Sequence, residues 1–252
     1  MELVDIQKFI ADMGYLSFGR DYIMCRNKVF SLQTVMTSVE FTLGHIYHCC
    51  EYACLADANT LTRKYRDDLF FYLYLTVYNS SRNLGYSSKA LDIMENNIDA
   101  WLADGLRDLH IGDVLKAIAS MKKLRNASQK YNLKSSFDII RDRLNNFVHS
   151  NGRSFYNQNA LAYQNNGLEE ELNKIVNDVK FITTTFMFLL VLCSPGLVMS
   201  PDYVDYLDCQ MEPPDGSQYW VAPFIEKFFH DNIQCIDDTC LKYLRENTPM
   251  QF

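Results

Sequence analysis

Apolar positions recur along most of the chain at the three-to-four-residue interval of helices, and strand-like alternation is scarce. The pattern predicts a short amphipathic start over residues 3–13, ended by Gly14. A long helical region follows over 22–55, with a break near Asn27. Asn59 and Thr60 are placed to cap a helix over 61–83, whose centre is apolar nearly all round and so belongs in the core. Ser87 and Ser88 cap a helix over 89–106, and a further helix covers 111–123. Residues 126–134 read as a polar connector and 137–149 as an amphipathic helix. A loop rich in amides and aromatics leads to a long helix over 168–193, opened by Glu169, Glu170 and Glu171, which suit a positive helix N-terminus. Residues 203–208 and the loop over 212–217 set off a tail with two short helices, over 219–229 and 236–244, in which Trp220, Phe224, Phe228 and Phe229 are available for docking. The expected fold is all-α: a helical bundle over 1–200 with a C-terminal helical appendage over 201–252. Sparse glycine and proline, 10 and 6 of 252 residues, fit helices.

The helix over 137–149 separates two kinds of residue. At 100° per residue, Phe137, Ile140, Leu144, Phe147 and Val148 share an arc of about 40° to 140° measured from Arg143. Asp142, Asn145, Asn146 and His149 fall between about 200° and 340°, leading back round to Arg143. One face is core, and the other carries an arginine, two amides and a histidine before Ser150, Asn151 and Gly152 stop the helix. Such a stripe is either a site for chemistry or a solvated face whose histidine complements the helix dipole. By these angles Arg143 lies off the core, so its replacement is expected to spare folding.

Charge adds a local signal. The chain carries −7 overall, which argues against a general nucleic-acid binder. Between residues 121 and 153, however, eight cations face two carboxylates, a net +6 that leaves −13 for the remainder. That segment either attracts phosphate near the stripe or forms a solvated basic helix pair.

Arg143, five intervening residues and His149 at the end of an amphipathic helix resemble the R-x(4–6)-H motif of HEPN domains. The likeness covers about residues 60–195. It implies a metal-independent ribonuclease of a bacterial toxin or anti-phage system, with paired motifs at a dimer interface. Under that implication His149 takes the ribose 2′-hydroxyl proton or donates one to the leaving 5′-oxygen. Arg143 holds the scissile phosphate. Asn146, or failing it Asn145, orients the phosphate or the imidazole. Leu144 stands directly after the arginine, where many active members carry a polar residue. RNA contacts would come from Lys134, Arg141, Asn145, Asn151, Arg153 and Tyr156, the basic and stacking groups around the stripe. Partners would be RNA and a second copy or HEPN-like chain meeting across a two-fold axis. No cofactor is implied. A catalytically inactive interaction module that assembles with a larger effector is the alternative, favoured by the acidic balance, Leu144 and the aromatic tail.

Two further features are read without a site. His45, Cys49, Cys50 and Cys54 include i, i+4 pairs of metal-ligand type, but the two pairs diverge by about 140° around one helix, so no metal is expected. Eight cysteines behind a start that lacks a charged-then-apolar build point to reduced thiols in the cytoplasm. The apolar run over 181–192 is short of the ~20 residues of a membrane span and reads as a core helix.

Overall fold

A computed structural model of the chain describes residues 2–17, 21–83, 89–104, 110–149, 152–160 and 167–252. The architecture is all-α, with twelve α-helices and one two-stranded hairpin among the described residues. Two helices form its axis. α3 (Leu55–Asn83) buries Tyr65, Leu69, Leu73 and Leu75, and α9 (Leu168–Cys193) buries Phe186, Met187, Phe188 and Leu190. Tyr65 and Thr183 join the two helices by a 2.6 Å hydroxyl–hydroxyl hydrogen bond in the core. α1 (Glu2–Leu16) and α2 (Gln33–Glu51) pack beside them, and α2 lies along α3. α4 (Lys89–Trp101), α5 (Ile111–Ser120), α6 (Lys122–Lys130), α7 (Leu133–Val148) and α8 (Gly152–Ala160) complete the bundle.

α9 is long and apolar enough to cross a membrane, and 72% of its apolar window is buried inside the protein. Neighbouring helices of the protein cover most of that window.

Several local expectations need correction. Residues 22–31 are not helical: β1 (Tyr22–Cys25) pairs antiparallel with β2 (Lys28–Ser31), Ile23 opposite Phe30 and Met24 opposite Val29. Arg26 takes the left-handed φ of 50° at the turn. Asn59 does not cap α3, which begins a turn earlier. It is fully buried and its amide donates to the Leu55 carbonyl at 2.9 Å. The stretch 126–134 is mostly helix α6, and the loop after His149 contains α8. Ser87 and Ser88 lie outside the described residues.

The C-terminal segment shares the bundle's core. α10 (Pro201–Asp208) lies on its surface, with no buried residue. α11 (Pro223–Asn232) stacks Phe228 on Phe9 of α1, ring centroids 3.8 Å apart and 14° from parallel. α12 (Cys240–Asn247) sets Tyr243 edge-on to Tyr131 at 5.6 Å. Met199 bridges Val221, and the Ser200 N–H donates to the Trp220 carbonyl at 2.7 Å.

Candidate functional site

α7 buries the face that its periodicity assigns to the core: Ile140, Leu144 and Phe147 are all buried, Leu144 completely. Val148 is the exception and is exposed at the fraying end. Asn132 starts the helix with a left-handed φ of 50°, a conformation asparagine tolerates.

Arg143 departs from the sequence expectation. It turns toward α3 and α9 instead of solvent. Its Nη1 donates to Asn59 Oδ1 at 2.9 Å, and its Nη2 pairs with the Asp178 carboxylate. The side chain is 29% exposed and that of Asp178 is 14%. Burial pulls the guanidinium below its ordinary value, with Glu171 pushing the other way. It remains a cation, because arginine does not deprotonate in proteins.

The contacts continue beyond the pair. The Asn59 amide also donates to Gln158 Oε1 at 3.0 Å, carrying the network to α8. Gln158 Nε2 donates to Glu171, and Lys174 holds Glu171 at 2.7 Å and Glu170 at 2.8 Å. Four helices thus meet through one polar network with Asn59 at its centre. Desolvated charges are retained where each has a partner.

The other predicted site residues separate from Arg143. His149 caps the C-terminus of α7, exposed, with its backbone N–H on the Asn145 carbonyl at 3.2 Å. Asn146 is exposed, whereas Asn145 is half-buried with its Oδ1 unpaired among the described residues. No hydrogen bond or ion pair among the described residues joins Arg143 to His149. Lys134 and Arg153 are exposed, and so is Tyr156, whose ring meets Phe155 edge-on at 5.1 Å. Asn151 lies outside the described residues.

Internal contacts take up part of the basic segment. Arg141 pairs with Asp138 at 2.7 Å and Asp142 at 2.8 Å, which raise its affinity for the proton. Lys130 sits 4.7 Å over the Tyr243 ring, and Lys123 donates to the Asn247 carbonyl at 3.4 Å. Arg82, at the end of α3, donates to the Met24 carbonyl of the hairpin.

Asn59, Gln158, Glu171 and Asp178 escaped the sequence reading of the site. Asn59 lies 84 positions from Arg143 along the chain, and no local spacing links them. The His45–Cys54 region places His48 3.0 Å from Glu51. No group of three or more His, Cys, Asp or Glu among the described residues could hold a metal ion.

No family model, no curated protein and no solved structure matches this chain.

Proposed function

We propose that the chain is a non-catalytic helical module, HEPN-like in arrangement, that works by binding a protein partner within a larger assembly. The observation that carries this reading is the Arg143–Asp178 ion pair with its Asn59 hydrogen bond. A phosphate clamp needs a cation whose charge is available to the anion. Here a phosphate must compete with a carboxylate already placed in a partly desolvated setting, where that pair is strongest. The acidic overall charge acts in the same direction by repelling RNA.

The test uses the purified chain and a mixed RNA pool in EDTA, read on a denaturing gel, with a His149→Ala control. The expected result is intact RNA with both proteins. Cleavage by the parent chain that disappears in His149→Ala would overturn the reading.

The second reading is a metal-independent endoribonuclease acting as a homodimer in a toxin or defence system. It is favoured by the exposure of His149 and Asn146 at one helix end, followed in sequence by the exposed Arg153 and Tyr156 of α8. In that case His149 would transfer the proton, and a second copy would have to supply the missing acid–base partner.

A further inference from the structure

The corner between α2 and α3 brings two thiols together. α2 ends in a Schellman motif. The Ala53 N–H donates to the Cys50 carbonyl at 3.1 Å, and the Cys54 N–H reaches back to the Cys49 carbonyl at 2.7 Å. Ala53 supplies the left-handed turn, with φ 55°. In this motif the residues joined by the longer bond commonly touch through their side chains, and here both are cysteines. Standard bond lengths added to the 2.7 Å contact cap their Cα separation at about 6.6 Å. That lies inside the ~4.4–6.8 Å that disulfides span. No backbone movement is therefore needed to join them.

The two sulfurs differ in access. Cys54 is exposed and Cys49 is half-buried. The Cys54 thiol donates only to the Tyr52 carbonyl, at 3.7 Å. Burial pushes the Cys49 thiol up, and Asp57 and Cys54 add to the rise. Cys50 leaves α2 about 100° further round, and burial pushes it up to about 11. Cys235 and Cys240 have the same spacing in sequence, but Cys240 is fully buried and its N–H goes to Asp237 instead of Cys235.

We propose that Cys49 and Cys54 are a thiol pair that closes to a reversible disulfide when it meets a small-molecule disulfide such as oxidised glutathione. The Cys54 thiolate attacks one sulfur of the oxidant and expels the other half as a thiolate. Cys49 then loses its proton and attacks Cys54 Sγ, which expels the second half. The two cysteines give up two electrons and two protons, and the oxidant leaves as two thiols. The Cys54 carbonyl accepts from the Ala58 N–H at 3.0 Å, so Cys54 also opens α3. The bridge therefore staples the end of α2 to the start of α3, five residues before Asn59.

The test incubates the full chain with oxidised glutathione at pH 8 and reads intact mass, a peptide map and Tm. The expected product has lost two hydrogen atoms, with Cys49 joined to Cys54. Its Tm rises by about 2–6 °C over the reduced chain and returns on addition of dithiothreitol. Cys49→Ser should stop at a glutathione adduct on Cys54, while Cys50→Ala should still close the bridge. A parent chain that keeps glutathione on Cys54, or a bridge through Cys50, overturns the assignment. Equally fast closure of Cys235 with Cys240 would show that spacing alone selects the pair and also overturns it. A Cys49–Cys54 bridge that leaves Tm unchanged overturns the staple. The peptide map of the parent chain decides the pairing even if a variant fails to fold.

Discussion

Arg143 Nη1 donates to Asn59 Oδ1 at 2.9 Å, and this bond together with Asp178 makes the arginine a fastener between α7, α3 and α9. Removing one member of a buried ion pair leaves the other charge desolvated and uncompensated. Because Arg143 keeps 29% of its surface, the penalty falls below that of a fully buried pair. Arg143→Ala and Asp178→Ala are each expected to cost about 2 kcal/mol, a drop of roughly 4–8 °C in Tm for a chain of this size. The double substitution should cost less than the sum of the singles. Differential scanning calorimetry checks this. Unchanged Tm in both singles would return Arg143 to the role of an available surface cation.

Asp21 gives stability a pH dependence. It is 4% exposed, accepts a hydrogen bond from the buried Tyr72 hydroxyl, and is lifted by burial from 3.8 to about 6. A carboxyl with a raised folded pKa holds its proton in the native state while the unfolded chain has already released it. Its contribution therefore favours folding below pH 4 and is lost as pH rises to about 6. The loss is on the order of 3 kcal/mol, at about 1.4 kcal/mol per unit. Asp21→Asn stays neutral throughout. The stability of the variant relative to the parent, from urea unfolding at pH 4 to 8, should climb across that window and then level off. A difference that does not change with pH would contradict the assignment.

α9 was readable to the residue. Gly167, with φ 90°, precedes it, and Ser194 and Pro195 end it, so local signals bracket an unmistakably apolar run. The core face of α7 was legible for the same reason, since Leu144 and Phe147 follow from angle alone. The hairpin was not: four-residue strands give periodicity too little length, although Tyr22–Cys25 does alternate exposed and buried. Arg143 failed differently. Helical angle says which side of α7 it leaves from, but its partners come from Asn59 and Asp178, and only the tertiary packing of α3 and α9 reveals them.

His149 and Leu144 should respond in opposite ways. Leu144 is fully buried, and Leu144→Ala is expected to cost 2–5 kcal/mol through lost transfer energy and the cavity left behind. His149 is exposed at the end of α7, so His149→Ala should stay within about 0.5 kcal/mol of the parent. Chemical denaturation of the two variants at pH 7.5 measures both. A cost above about 1.5 kcal/mol for His149→Ala would mean that its ring is built into the fold.

Separability of the C-terminal segment is decided by what it covers. Phe9 of α1 is only 6% exposed because Phe228 stacks on it and Phe224 lies 5.7 Å away. Phe188 of α9 is fully buried and meets Tyr243 at 6.1 Å. Ala222 N–H donates to the Val198 carbonyl at 2.9 Å, so the segment also satisfies backbone groups at the end of the bundle. Exposing one large apolar side chain forfeits about 1.5–3 kcal/mol, and cutting the chain after Ser200 exposes several at once. Marginal domains, stable by only about 5–15 kcal/mol, rarely survive such losses. Residues 1–200 alone are therefore expected to aggregate or to lose cooperative unfolding, while Phe228→Ala in the full chain should fold with a cost of about 3 kcal/mol. Circular dichroism melts of both proteins make the comparison. A soluble 1–200 fragment with the parent's cooperative transition would show that the C-terminal helices are an independent appendage after all.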